Sequence, residues 1–178
     1  CAGLTALQAL TRLGRVSDGS RVTVIGASGG VGTYAVQIAK ALGATVTAVT
    51  SATNLDLVTS LGADVAIDRK AGRWTDQVAG QDLVLDAFGM QGFERARAAL
   101  APGGRYVTTV PDVGGLASSV SSGVVRLLTG GRAPSAHVIL VRASGRDLER
   151  IGAWMASGRV RSGIDAVHPL EEVRAAHE

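Results

Sequence analysis

The chain is poor in several residue types. Phe, Trp and Tyr together make up 3% of its 178 residues, and Cys1 is the only cysteine. A single cysteine excludes any intrachain disulfide and any site built from several thiolates. His137, His168 and His177 are not spaced as a metal cluster, so we expect no metal. Lysine is limited to Lys40 and Lys70, and no run of basic residues alternates with aromatics, so nucleic-acid binding is not expected. No apolar run reaches membrane-spanning length and no secretory signal is visible. The expectation is a cytoplasmic protein without a membrane partner. The chain starts without Met inside an apolar periodic segment and stops at Glu178 inside a predicted helix. It therefore reads as one domain, residues 1–178, of a longer polypeptide.

The chain is rich in small and aliphatic residues. Hydrophobic residues make up 46% and charged residues 19%, with 24 glycines, which points to a folded chain whose core is Val, Leu, Ile and Ala. Such a core suits a parallel sheet covered on both faces by helices. Leu4, Leu7, Leu10 and Leu13 form a helical stripe over residues 2–13. Six strands are predicted, at 21–26, 45–49, 64–68, 82–87, 104–110 and 136–142. Helices are predicted between them, over 31–42, 54–61, 93–100, 124–128 and 148–155, and a further one begins at Leu170. Alternation of strand and helix implies right-handed crossovers. The expected fold class is α/β, a doubly wound parallel six-stranded sheet (the Rossmann fold) with order 3-2-1-4-5-6.

In such a sheet a ligand binds at the carboxyl ends of the strands, where the strand order reverses. The segment Gly26-Ala27-Ser28-Gly29-Gly30-Val31-Gly32 lies at that point, between the first strand and a helix. Glycines permit a tight turn and close approach to a pyrophosphate, and the helix start offers free N–H groups and the positive end of its dipole. Ser28 adds a hydroxyl. A phosphate loop of the Gly-Lys-Ser/Thr type is excluded, because no such triplet follows. A methyltransferase is a weaker alternative, since its second strand normally ends in an acid.

The region after the second strand selects among nicotinamide cofactors. NAD-binding domains usually place Asp or Glu there to hold the ribose 2′-hydroxyl. Here the residues are Val49-Thr50-Ser51-Ala52-Thr53-Asn54. No carboxylate repels a 2′-phosphate, Ser51 and Asn54 are donors, and Arg69 after the third strand supplies charge. The predicted cofactor is NADPH, with NADH a possible substitute.

Several motifs occur in order. They are Ala2-Gly3-Leu4-Thr5-Ala6, the Gly26–Gly32 turn continuing into Ala35-Val36-Gln37, and Leu61-Gly62-Ala63-Asp64. Asp86-Ala87-Phe88-Gly89, Leu100-Ala101-Pro102-Gly103-Gly104-Arg105-Tyr106 and His168-Pro169-Leu170-Glu171-Glu172 follow. Over nearly its whole length the chain resembles the medium-chain dehydrogenase/reductase superfamily, in its zinc-independent quinone oxidoreductase and enoyl reductase branch. The glycine turn has one residue more than the form typical of the zinc alcohol dehydrogenases, which favours the zinc-free branch.

The resemblance implies that Thr5 lies near the nicotinamide-ribose end of the cofactor. It places Ser28, Gly29, Gly30 and Val31 along the pyrophosphate, and Ser51, Asn54 and Arg69 around the 2′-phosphate. Phe88-Gly89 and Val110-Pro111 then border the cleft. Asn54 departs from relatives, which often carry lysine there. The family's substrate domain is not visible in this chain, so no catalytic side chain is nominated. The implied activity is hydride transfer from NADPH to an activated C=C or a quinone, with a small-molecule substrate. The resemblance also implies homodimerisation through the edge strand at residues 137–141. Two alternatives stand beside it: an NADP(H)-binding module without turnover, and an enoyl reductase module of a larger synthase.

Overall fold

The computed structural model describes every residue except Met90, Pro111, Asp112, Asp165 and residues 175–178; side chains at 113–119 are likewise left out of the description. Six parallel strands form one sheet: β1 (Arg21–Ile25), β2 (Thr45–Thr50), β3 (Val65–Asp68), β4 (Gln81–Asp86), β5 (Leu100–Thr108) and β6 (Ser135–Val138). Their order is β3-β2-β1-β4-β5-β6, as the sequence predicts. The helices are α1 (Ala2–Gln8), α2 (Gly30–Ala41), α3 (Leu55–Ser60), α4 (Phe93–Ala96), α5 (Val113–Leu128) and α6 (Gly145–Ala156).

The sheet is buried on both faces. On one face Leu7, Leu10, Val24, Ile38, Val46 and Leu85 pack with Ile151 of α6. The other face gathers Ile25, Val49, Ile67, Trp74, Val84, Phe93, Leu100 and Tyr106. Trp74, Phe93 and Tyr106 therefore share one layer, with the Phe93 and Tyr106 ring centroids 6.1 Å apart. Two-sided burial accounts for the aliphatic residues on both faces of β1, β2 and β4: Val22, Val24, Ile25, Val46, Ala48, Val49, Leu83, Val84 and Leu85.

Several element boundaries differ from expectation, each for a local reason. The helix predicted over 2–13 is α-helical only to Gln8; residues Ala9–Leu13 form a wider π turn, with Gly14 N–H donating to the Ala9 carbonyl at 2.7 Å. A side chain at Gly14 would meet Leu83 Cδ2 at 2.6 Å and the Leu10 carbonyl at 2.8 Å, so glycine lets the helix end tuck against β4. The helix predicted over 93–100 stops at Ala96 and tightens into a 3-10 turn, Arg97–Ala99. Strand β5 then begins at Leu100 and runs through Pro102-Gly103-Gly104, which reads in sequence as a helix stop. The pairing with β4 shifts register between Gln81 and Leu83, and Gly104 fits there because a Cβ would lie 2.7 Å from the Gln81 carbonyl.

Strand β6 spans 135–138 rather than 136–142. It pairs with β5 only as far as Val138 opposite Thr108, where β5 itself ends. The stretch expected to be helical only at 124–128 is a helix from Val113, and α6 starts at Gly145 rather than 148. Ser144 caps α6 by accepting the Asp147 N–H at 3.2 Å, a Ser-x-x-Asp signal present in the sequence. At Leu170 the structure has one 3-10 turn, Leu170–Glu172.

Candidate cofactor cleft

The site lies at the carboxyl end of the sheet, between β1 and β4, where the order reverses. Gly26 sits at φ 73°, and a Cβ on it would press on Phe88 Cβ at 3.1 Å. A Cβ on Gly32 would run into the Gly26 carbonyl and lie 2.7 Å from Ala27 Cα, so only glycine lets α2 pack this close to the turn. Gly30 has nothing within 4 Å of its missing Cβ. That position is open for a ligand. The first turn of α2 carries no acidic residue, and no side chain caps its start. Its leading N–H groups and the dipole they end are therefore available to an anion. The Val31 side chain is half-buried against the core, so only its backbone can serve such a ligand.

A polar corner joins this turn to the end of β2. Ser28 Oγ accepts from Thr50 Oγ1 at 2.7 Å and from Asn54 Nδ2 at 3.1 Å, and Asn54 Nδ2 also donates to Ser51 Oγ at 3.1 Å. Arg69 follows β3, its N–H bonded to the Thr50 carbonyl at 2.8 Å. Its guanidinium has no partner among the described residues. No carboxylate is among the described residues that line this corner.

The opposite wall hangs on Asp86 at the end of β4. Asp86 is fully buried. Its Oδ1 accepts from the backbone N–H groups of Phe88 (3.1 Å) and Gly89 (2.7 Å). Its Oδ2 accepts from Gln91 N–H (3.0 Å) and Tyr106 Oη (2.9 Å). Burial, and then the adjoining Asp86 carboxylate, push the Tyr106 phenol well above its usual range, so Tyr106 is a fixed donor. Gly89 has φ 76° and a Cβ there would collide with Val110. The cleft so formed has a volume of about 280 Å³ and is lined by Gly26, Ser28, Gly29, Ser51, Arg69 and Phe88, with Ile25, Val49, Thr50, Ala87 and Gln91.

The structure thus gathers Gly26, Ser28, Gly29, Ser51, Arg69 and Phe88 in one cleft, with Gly30, Val31, Gly32, Asn54, Gly89 and Val110 on its supporting turns. Thr5 is not among the lining residues. It is buried on α1 and donates its hydroxyl to the Cys1 carbonyl at 3.1 Å. Pro111 lies outside the described residues. Sequence reasoning gave no role to Thr50, Asp86 or Gln91. The signal available for Asp86 was an acid two residues before a Phe-Gly turn, where its carboxylate can accept local backbone N–H groups.

The zinc-binding dehydrogenase family model matches residues 61–178. The chain belongs to the zinc-binding dehydrogenases of the medium-chain dehydrogenase/reductase superfamily. A second family model, the C-terminal domain of alanine dehydrogenase/PNT, matches residues 5–97, which hold the glycine turn and β1 to β4. Among curated relatives the chain is 34% identical to the trans-enoyl reductase pgmF of Aspergillus terreus, covering 96% of this chain and 50% of that one. It is 34% identical to the mitochondrial NAD(P)H oxidoreductase RTN4IP1 of Mus musculus, covering 97% and 49%. The quinone oxidoreductase of Coxiella burnetii superposes with a TM-score of 0.78 at 27% identity, covering 99% of this chain and 53% of that one.

The chain spans about half the length of the curated relatives it matches. Among its described residues no group of three or more His, Cys, Asp or Glu is placed to hold a metal ion. No described helix is long and apolar enough to cross a membrane.

Proposed function

We propose that this chain is the NADPH-holding half of a zinc-independent reductase that transfers hydride to an activated C=C or a quinone. The observation that carries the reading is the uncapped, acid-free start of α2 beside a corner that offers Ser28, Ser51, Asn54 and Arg69 without a carboxylate. The nicotinamide would supply the hydride. The protein's part is positional. The N–H groups of α2 receive the pyrophosphate, Arg69 pairs with the 2′-phosphate, and the Phe88-Gly89 wall closes the cleft against water. The relatives named as a trans-enoyl reductase and a quinone oxidoreductase support the two acceptor classes.

Two measurements test this. Titration should give tighter binding of NADPH than of NADH, and Arg69→Ala should remove most of that preference; equal affinities in the unaltered protein refute the cofactor choice. Loss of NADPH absorbance with a quinone or a 2-enoyl thioester, assayed on the full-length polypeptide, tests the reaction, and no turnover with either class would favour a binding module. The trans-enoyl reductase relative gives weight to a second reading, a reductase unit serving a larger synthase. Activity confined to enoyl thioesters would favour it. We further propose a homodimer formed through residues 137–141, where Leu140 is 77% exposed beyond the free edge of β6.

A further inference from the structure

A second cavity opens beside the cofactor cleft, and nothing in the proposed reaction uses it. It has a volume of about 510 Å³ and is lined by Arg69, Gly72, Arg73, Trp74, Thr75, Gln91 and Arg95. Arg69 and Gln91 line both spaces. Three guanidinium groups thus come from three places in the fold: the end of β3, the crossover to β4, and α4.

The charges are left almost uncompensated. Arg69 has no side-chain partner among the described residues. Among the described residues Arg73 meets only Asp76, at 4.0 Å, with both side chains largely exposed, a contact worth little in water. Arg95 donates to a neutral group, Gln91 Oε1, at 3.2 Å. Gln91 is itself held in place, because its Oε1 also accepts from Trp74 Nε1 at 3.2 Å and its N–H is bound to Asp86. With both bonds falling on Oε1, the Gln91 amide nitrogen has no partner among the described residues. Trp74 is buried, so its indole is a rigid wall. A wall of this kind orients Gln91 and, through it, Arg95.

We propose that this cavity binds a second phosphate-bearing anion of the condensed-phosphate class, next to the cofactor. Guanidinium forks match phosphate oxygens in pairs, and three arginines lining one cavity suit two linked phosphates better than one carboxylate. Because Arg69 also serves the corner assigned to the 2′-phosphate, the idea rests in part on the NADPH reading. It makes the two anions rivals for one guanidinium: an occupant of this cavity should weaken NADPH and leave NADH almost untouched.

Calorimetric titration of the NADH-saturated protein with pyrophosphate tests the site, because the cofactor's own pyrophosphate then occupies the start of α2. One pyrophosphate should bind, and Arg73→Ala and Arg95→Ala should each weaken it about tenfold, the effect of one charge-assisted bond. Arg159→Ala, a remote exposed arginine, should leave it unchanged. With NADH saturating the cofactor cleft, parallel titrations with pyrophosphate and ADP tell whether the phosphates arrive free or on a nucleoside; binding of either supports the site. The proposal is overturned if neither binds, if Arg159→Ala weakens binding as much as the other two, or if Arg73→Ala and Arg95→Ala weaken NADH equally, which would make the cavity part of the cofactor cleft. If both variants weaken pyrophosphate while Arg69→Ala leaves the NADPH-to-NADH ratio unchanged, the anion site stands and the NADPH reading fails.

Discussion

Replacing Asp86 by Asn isolates what one buried carboxylate does for the cleft. The substitution keeps the shape and removes the charge. In the native protein four donors converge on Asp86: three backbone N–H groups and the Tyr106 hydroxyl. In the variant, one orientation of the amide keeps an oxygen toward Phe88 and Gly89 and turns an NH₂ group toward Gln91 N–H and Tyr106. Tyr106 can rotate its proton and accept, but the Gln91 N–H meets another donor and loses its partner. The other orientation orphans two N–H groups, so the first is adopted.

One unsatisfied buried donor costs about 1–3 kcal/mol, and each surviving bond falls from a charged to a neutral acceptor. The expected loss of stability is about 2–4 kcal/mol, or roughly 4–15 °C in Tm for a chain of this length. Tyr106→Phe removes one donor and leaves the carboxylate three others, so it should cost about 1.5–3 kcal/mol. Urea unfolding of both variants and the double variant closes a cycle. The two changes share one interaction, so their effects should fall short of additivity by at least about 0.5 kcal/mol. Because the Phe88–Gln91 wall hangs on these bonds, Asp86→Asn should also weaken cofactor binding. Full additivity, or a stability change below about 0.5 kcal/mol for Asp86→Asn, refutes the account, since surface substitutions produce changes that small.

The remaining predictions test neighbouring features. Gly32→Ala should destabilise the fold by about 1–3 kcal/mol through overpacking against Gly26 and Ala27, whereas Gly30→Ala should fold normally and lose cofactor affinity; calorimetry with thermal melts separates the two. Burial, and then Arg105, Arg126 and Arg15, hold His137 below its ordinary pKa of 6.5. The unfolded chain therefore binds that proton first. This contribution to stability is present above about pH 7 and is lost as pH falls through 6.5 toward the lowered folded value. Urea midpoints between pH 7.5 and 5.5 should decline, and His137→Gln should flatten the decline. Sedimentation velocity should show a dimer that Leu140→Glu converts to a monomer; an unaltered monomer would discard the edge-strand pairing.

How far the fold is legible in sequence depends on where each element gets its cue. Strands β1, β2 and β4 announce themselves because two-sided burial demands aliphatic and β-branched residues on both faces, and the glycine turn announces itself through spacing. β5 does not, because its first half is an irregular pairing whose residues, Pro102-Gly103-Gly104, are those that also stop helices. Gly104 is required by the Gln81 carbonyl, a neighbour 23 positions away that no local pattern reveals. The end of β6 depends likewise on its partner: residues 139–141 stay apolar and strand-like in composition, but β5 has already ended at Thr108. α5 escapes a local reading because Gly and Ser fill its first turns, weak helix formers that tertiary context overrides.

The cleft divides in the same way, and the division bears on which ligand it takes. The residues predicted from sequence, Ser28, Ser51, Asn54 and Arg69, are donors whose role is set by chemistry near a strand end. The residues missed, Thr50, Asp86 and Gln91, act through partners that only the fold brings together. Thr50 spends its hydroxyl proton on Ser28, which leaves the Ser28 proton free for a ligand. Asp86 adjoins the cleft, and an acid beside a proposed anionic cofactor needs explanation. Its four donors supply it: every bond turns its charge toward the Phe88–Gln91 backbone and Tyr106, and none of its surface reaches the cleft. The carboxylate that an NAD-binding domain would aim at the ribose stands after β2, and that place holds Ser51. A negative charge is therefore present at the sheet's crest but fully engaged in shaping a wall, while the open charges, Arg69, Arg73 and Arg95, are all positive. An electrostatic field of that sign favours the phosphate-rich of the two nicotinamide cofactors.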